Sequence, residues 1–217
     1  MTKLVLQMQT SIDGYVDSAV AGSRWSLWDW GPDWPWTDDL RAHYNRRFAD
    51  AGAIILSRPM VNEGYLDHWG RVADGHQGDP DYDFARHIQT LPKYVLSNER
   101  EPEAEWPNTT VLHGPLAAAV DEVKREAGGD ALCFGGATFA RALLRQQLVD
   151  EIELFTNPGV AGAGTSIFDS SMVESRYRGV AARSFACGIV VTSWARASYS
   201  PGTFSINSTQ LGAPGLG

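Results

Sequence analysis

The chain has 217 residues and a formal net charge of −8, with 43% hydrophobic and 20% charged residues. That is an ordinary composition for a soluble globular protein, and the length is enough to bury a sizeable core. The acidic balance argues against a nucleic-acid binder that works by neutralising phosphates, while leaving room for a local pocket that takes one small phosphate ligand.

The start, Met1-Thr2-Lys3-Leu4-Val5-Leu6-Gln7, has no long apolar segment and no cleavage pattern, so no signal peptide and no membrane span are expected, and the cytoplasm is the default location. Residues 4–8 form a short apolar run of strand type, and Asp13-Gly14 is a turn signal after it. Asp13, beside the hydroxyls of Thr10 and Ser11, reads either as a plain Asx turn or as a group holding a polar ligand at a strand end.

Residues 24–36 carry five of the eight tryptophans together with two prolines, hence a loop. Tryptophans at this density need a surface to cover: the core, a second subunit or a flat ligand. Thr37 then caps a helix whose first acids, Asp38 and Asp39, suit the dipole, with Leu40, Tyr44 and Phe48 as its apolar stripe.

Residues 53–56 read as a buried strand. Ser57, Arg58, Pro59 and Met60 stand where it meets a helix N-terminus, with Pro59 suited to the first turn and the helical stretch ending near Trp69. Residues 74–83 read as an exposed polar loop whose acids lack the spacing and closing Glu of a calcium site, so no metal is expected. Residues 93–96 form another strand, with Ser97, Asn98 and Arg100 at its carboxyl end. Residues 109–112 are a strand and residues 115–127 a helix.

The most informative stretch is 131–164. An apolar run at 131–134 leads into Gly135-Gly136, then a helical pattern with Phe139, Leu143, Leu144 and Leu148 on one face, then a second apolar run at 152–155. Strand, turn, helix, strand makes parallel neighbours in a sheet. A glycine pair at a helix start lets a phosphate approach the free amides and the positive dipole end, or it only makes a tight turn. No G-x-G-x-x-G spacing decides between them. Two late runs, 179–185 and 189–197, flank Ala186-Cys187-Gly188 as an antiparallel hairpin. Cys133 and Cys187 sit in apolar runs far apart and read as small reduced hydrophobes. The expected organisation is a single domain over 1–199 and a Gly/Pro/Ser-rich tail over 200–217.

Several stretches together resemble the dihydrofolate reductase-like family that includes the reductase domain of bacterial riboflavin biosynthesis proteins. They are T-S-I-D-G-Y-V (10–16), I-L-S-R-P-M (55–60) with Trp69 after it, P-K-Y-V-L-S-N (92–98), V-L-H-G-P-L (111–116), G-G-D-A-L-C-F-G-G-A-T-F-A-R-A-L-L (128–144), and L-V-D-E-I-E-L-F-T-N-P-G-V-A-G-A-G-T-S-I-F (148–168). The resemblance implies a mostly parallel sheet flanked by helices, NADPH bound at the strand ends, and a homodimer. It implies that Ser57, Arg58 and Met60 meet cofactor phosphates, that Ser97, Asn98 and Arg100 lie near the adenosine 2′-phosphate, and that Gly135, Gly136, Ala137 and Thr138 form the pyrophosphate turn. Asp13 and Pro158 match positions lining the nicotinamide and substrate pocket; the tryptophan segment lies where family members vary, so the substrate does not carry over, and Trp36 is a substrate-binding candidate from the loop's place between the Asp13 turn and the Thr37 helix. Ser57 stands where the family has glycine, and Met60 where it has a hydroxyl residue. The expected activity is transfer of hydride from NADPH to a small substrate, flat and heterocyclic or conjugated as the tryptophans suggest, with Asp13, Asp38 or Asp39 as a proton donor. The alternative is a non-catalytic nucleotide- or ligand-binding protein on the same fold.

Overall fold

The computed structural model describes residues 2–21, 36–97, 106–172 and 175–197. Asn98, Arg100, the first four tryptophans of the 24–36 segment and the 200–217 tail fall outside them.

The chain runs β1 (Leu4–Thr10), α1 (Asp38–Ala49), β2 (Ala51–Ser57), α2 (Arg58–Asn62), α3 (Tyr65–Gly75), α4 (Asp83–Thr90), β3 (Lys93–Ser97), β4 (Thr109–His113), α5 (Leu116–Glu126), β5 (Asp130–Phe134), α6 (Ala137–Arg145), β6 (Glu151–Thr156), β7 (Tyr177–Ser184) and β8 (Val190–Arg196). The eight strands make one sheet in the order β4-β3-β2-β5-β1-β6-β8-β7. All pairings from β4 to β6 are parallel. The two pairings that involve β8 are antiparallel, so β7 and β8 form the expected hairpin at one edge.

The central strands are apolar on both faces because helices cover both. Val5, Ile54, Leu56 and Leu132 pack under α1, α3 and α4 with Phe48, Phe84 and Trp69. Leu4, Leu6, Ile55 and Cys133 pack under α5 and α6 with Val120, Val123 and Leu143. This double cover explains why β1, β2 and β5 read as continuous apolar runs rather than alternating ones. Each large side chain removed from water there contributes about 1.5–3 kcal/mol. Cys133 is buried, which pushes its thiol up, Cys187 is half-buried, and both are free.

Two local expectations fail. Residues 74–83 are not one loop: α3 continues to Gly75, a short 3-10 turn spans Pro80–Tyr82, and α4 begins at Asp83. The helical pattern of Phe84, Ala85 and Ile88, all buried, is obscured in the sequence by the polar run before it. The helix after Gly136 ends at Arg145, and its buried stripe is Ala140, Leu143 and Leu144. Phe139 lies only partly inside, and Leu148 follows the helix after a left-handed Gln147.

Candidate active site

Every parallel strand ends in a loop on the same side of the sheet, and an elongated cleft of about 940 Å³ runs across those ends. Leu112, Ser97, Ser57 and Gly136 border it at the carboxyl ends of β4, β3, β2 and β5, and Val16 and Thr165 border it from the loops that follow β1 and β6. Three strand spacings separate β4 from β5, about 14 Å, and the two loops extend the cleft beyond them, so it suits a long ligand more than a compact one.

At its middle stands the Gly135-Gly136 turn. The two glycines have different jobs. A Cβ on Gly135 would lie 2.5 Å from a Phe139 ring carbon and 3.1 Å from the Ser57 side chain, so this glycine lets β5, α6 and β2 approach one another. A Cβ on Gly136 would meet nothing within 4 Å. Gly136 is the N-cap of α6 and lines the cleft with Ala137 and Thr138, and Gly135 is buried beneath. The first-turn amides of α6 have no acceptor within the helix, so they face the cleft as donors at its positive end.

Ser57 reinforces this. It is 3% exposed and borders the cleft, and its Oγ has no hydrogen-bond partner among the described residues. A buried hydroxyl left so is costly unless a ligand supplies the acceptor. Arg58 also lines the cleft, and its guanidinium carbon lies 5.8 Å from the Trp106 ring centroid. Met60 lines the cleft floor, its side chain sunk into the aromatic core.

The structure separates the acids from this cleft. Asp13 Oδ1 accepts from Ala161 N at 3.0 Å and Oδ2 from Gly162 N at 2.8 Å, and the side chain does not border the cleft. The Ser11 hydroxyl and then the Ala161 amide hold its carboxyl down at about 2. That is the chemistry of a clamp on the 159–162 loop, opposite to what a proton donor needs at neutral pH. Asp39 is likewise engaged: Oδ1 accepts from the Thr37 hydroxyl and from Leu40 N, and Oδ2 from Ala186 N at 3.1 Å. The Thr37 hydroxyl is the main cause of its lowered carboxyl pKa. It ties α1 to the β7–β8 turn. Asp38 is exposed and pairs with Arg41.

Trp36 is 8% exposed, with ring centroids of Tyr44 at 4.4 Å and Phe84 at 5.6 Å. It belongs to an aromatic chamber with Tyr44, Tyr65, Trp69, Phe134 and Phe155 that leaves a cavity of about 20 Å³. Tyr65 borders both this chamber and the cleft. Gln7 lines the chamber too: its Nε2 donates to Glu153 Oε2 at 2.5 Å, and its Oε1 has no partner among the described residues. Pro158 is exposed at the end of β6 and packs toward Gly188 in the hairpin turn, away from the cleft.

Asp17 and Thr165 border the cleft and were not anticipated. Asp17 Oδ1 accepts from Thr165 N at 2.6 Å, a contact across 148 residues with no local signal. The Gly114-Pro115 corner was findable, since it opens α5 at the end of β4 as Gly136 opens α6 at the end of β5.

A mostly parallel sheet covered on both faces, with its cleft over the strand carboxyl ends, is the arrangement of a dihydrofolate reductase-like protein. Dihydrofolate reductase from Enterococcus faecalis, solved with NADP(H) and RAB-propyl, shares this fold with a TM-score of 0.54 at 13% identity, over 90% of this chain and 97% of that one. Residues 2–191 match the RibD C-terminal domain, and the chain belongs to that family. Uncharacterized protein YyaP of Bacillus subtilis (strain 168) is 24% identical over 192 residues, covering 87% of this chain and 92% of that protein. Acinetobacter baumannii RibD superposes with a TM-score of 0.60 at 15% identity over 91% of this chain, which spans 59% of that longer chain. Among the described residues, no helix is long and apolar enough to cross a membrane, and no group of three or more potential metal ligands is present.

Proposed function

We propose that this protein is an NADPH-dependent reductase of a small flat heterocyclic or conjugated substrate, working as a homodimer. The observation that carries the reading is the open Gly136 corner at the N-terminus of α6, on a cleft bordered by the ends of β4, β3, β2 and β5 and by the loops after β1 and β6. The chain's own groups fit a dinucleotide. The amides of Ala137 and Thr138 and the Ser57 hydroxyl would hold the pyrophosphate, with Arg58 as the nearby cation. Ser97, followed in sequence by Asn98 and Arg100, would face the adenosine ribose and its 2′-phosphate. The cofactor, when bound, supplies the hydride. Asp13 would act by bracing the 159–162 loop rather than by giving a proton, and Asp39 by bracing α1.

The substrate ring would approach past Tyr65 toward the aromatic chamber. There Gln7 Oε1, without a partner among the described residues, suits an N–H donor, which favours a nitrogen heterocycle. The small volume of that chamber also supports a second reading, in which the fold binds a nucleotide without turning it over. Titration with NADPH by nicotinamide fluorescence, followed by stopped-flow oxidation assays with reducible N-heterocycles, separates the two. Binding without any turnover favours the second, and no binding removes both.

A further inference from the structure

The loops after β1 and β6 bring one carboxylate, Asp17, to the cleft. At the β4 and β3 end the described lining is Leu112, Gly114, Pro115, Leu116 and Ser97, without a carboxylate. At the β1 and β6 end it is Val16, Asp17 and Thr165. The only other acid on the described lining, Glu63, follows α2, which packs against β2 and β3. A phosphate-bearing end of a ligand is repelled from Asp17, and a neutral or positive end is not.

Asp17 is also held in place. Its Oδ1 accepts from Thr165 N at 2.6 Å, and the flanking backbone is zipped to the same loop by Val16 N to Thr165 O and Ala19 N to Ala163 O, each 2.8 Å. Gly164 makes the seat: a Cβ there would stand 2.1 Å from Asp17 O and 2.8 Å from Asp17 Oδ1. A carboxylate fixed in this way acts on its surroundings without first paying to be ordered.

We propose that Asp17 is a selectivity residue that favours the oxidised, positively charged nicotinamide over the neutral reduced one, and thereby makes the bound reduced cofactor a stronger hydride donor. This rests on the reductase reading. When hydride leaves the reduced ring with its electron pair, the ring is left with a positive charge, and the Asp17 carboxylate lowers the energy of that state relative to the neutral one. Binding the oxidised form more tightly is the same free energy as shifting the bound couple toward donation.

The test is titration of the full chain with NADPH and with NADP⁺, for wild type, Asp17→Asn and Asp17→Ala, at low and physiological salt. Asparagine keeps an oxygen acceptor for Thr165 N–H and removes only the charge. The expected result is that the ratio of NADP⁺ to NADPH affinity falls up to about fivefold in Asp17→Asn, the upper end for a charge interaction of an exposed carboxylate, and that the fall shrinks as salt rises. Asp17→Ala should show the same ratio change together with a lower melting temperature. If Asp17→Asn weakens both forms by one factor, as loop bracing alone would do, or leaves the ratio at its wild-type value, the inference is wrong while the reductase reading stands. If wild type binds neither form, the reductase reading fails and takes the inference with it.

Discussion

Replacing Gly136 by valine tests the cofactor cleft with little disturbance elsewhere. The residue has φ −69° and ψ 166°, extended backbone that valine adopts readily, and a Cβ there meets no atom within 4 Å. The cost to the fold is therefore confined to a poorer N-cap, about 0.5–1 kcal/mol. The same side chain would occupy the space where an anion must come within about 3 Å of the first α6 amides. Losing two such charge-assisted hydrogen bonds, at about 1.5–3 kcal/mol each, weakens binding by roughly 100-fold or more. Gly135→Ala is the contrast. Its methyl collides with Phe139 and Ser57 at 2.5 and 3.1 Å, an overpacking cost of about 1–3 kcal/mol. Nicotinamide fluorescence should thus report lost NADPH binding for Gly136→Val at near-native circular dichroism and melting temperature, while Gly135→Ala lowers the melting temperature. Unchanged NADPH affinity in Gly136→Val would refute the pyrophosphate assignment.

Three further outcomes are expected. NADPH should bind at least about tenfold more tightly than NADH, because Ser97 closes β3 with a hydroxyl and the Asn98 amide and Arg100 guanidinium follow it, with Glu99 between them and no acid immediately after Ser97; equal dissociation constants would remove the 2′-phosphate assignment. Trp36→Ala should cost about 3–5 kcal/mol in urea unfolding, since the ring is buried among Tyr44, Trp69 and Phe84, and a change under 1 kcal/mol would show that the chamber closes without it. His43 on α1 lies against Phe155 and Phe185, and burial, then the charges of Arg46, Arg47 and Arg183, pull its imidazole down to about 4 from 6.5. Its folded pKa is depressed, so the unfolded chain takes up the proton first and stability falls as pH drops from about 6.5 to about 4. That contribution is on the order of 1–2 kcal/mol once solvent screening is allowed for; His43→Phe should flatten the stability profile in that window, and an identical profile would show that His43 is not the group titrating.

The sequence by itself determined the scaffold. Apolar runs at β1, β2 and β5 are long enough to be buried on two faces, and strand–helix alternation through Gly136 forces parallel pairing, which the sheet order bears out. The β7–β8 hairpin was legible from two runs around a short polar turn. These features depend on neighbours in the chain, where periodicity and turn chemistry operate. What each glycine and each acid does was settled only by tertiary structure. Gly135 and Gly136 are identical in the sequence, yet one sits against Phe139 and Ser57 and the other against open space. Asp13 reads as an Asx turn or a ligand-holding group and Asp39 as a helix-start acid or a proton donor, and folding commits them to amides of Ala161, Gly162 and Ala186. Asp17 gave no local sign at all, because its partner Thr165 comes from the far end of the chain. A side chain's chemistry depends on whether its hydrogen-bonding capacity is already taken up, and here near neighbours, Ser11 and Thr37, share that role with amides almost 150 positions away.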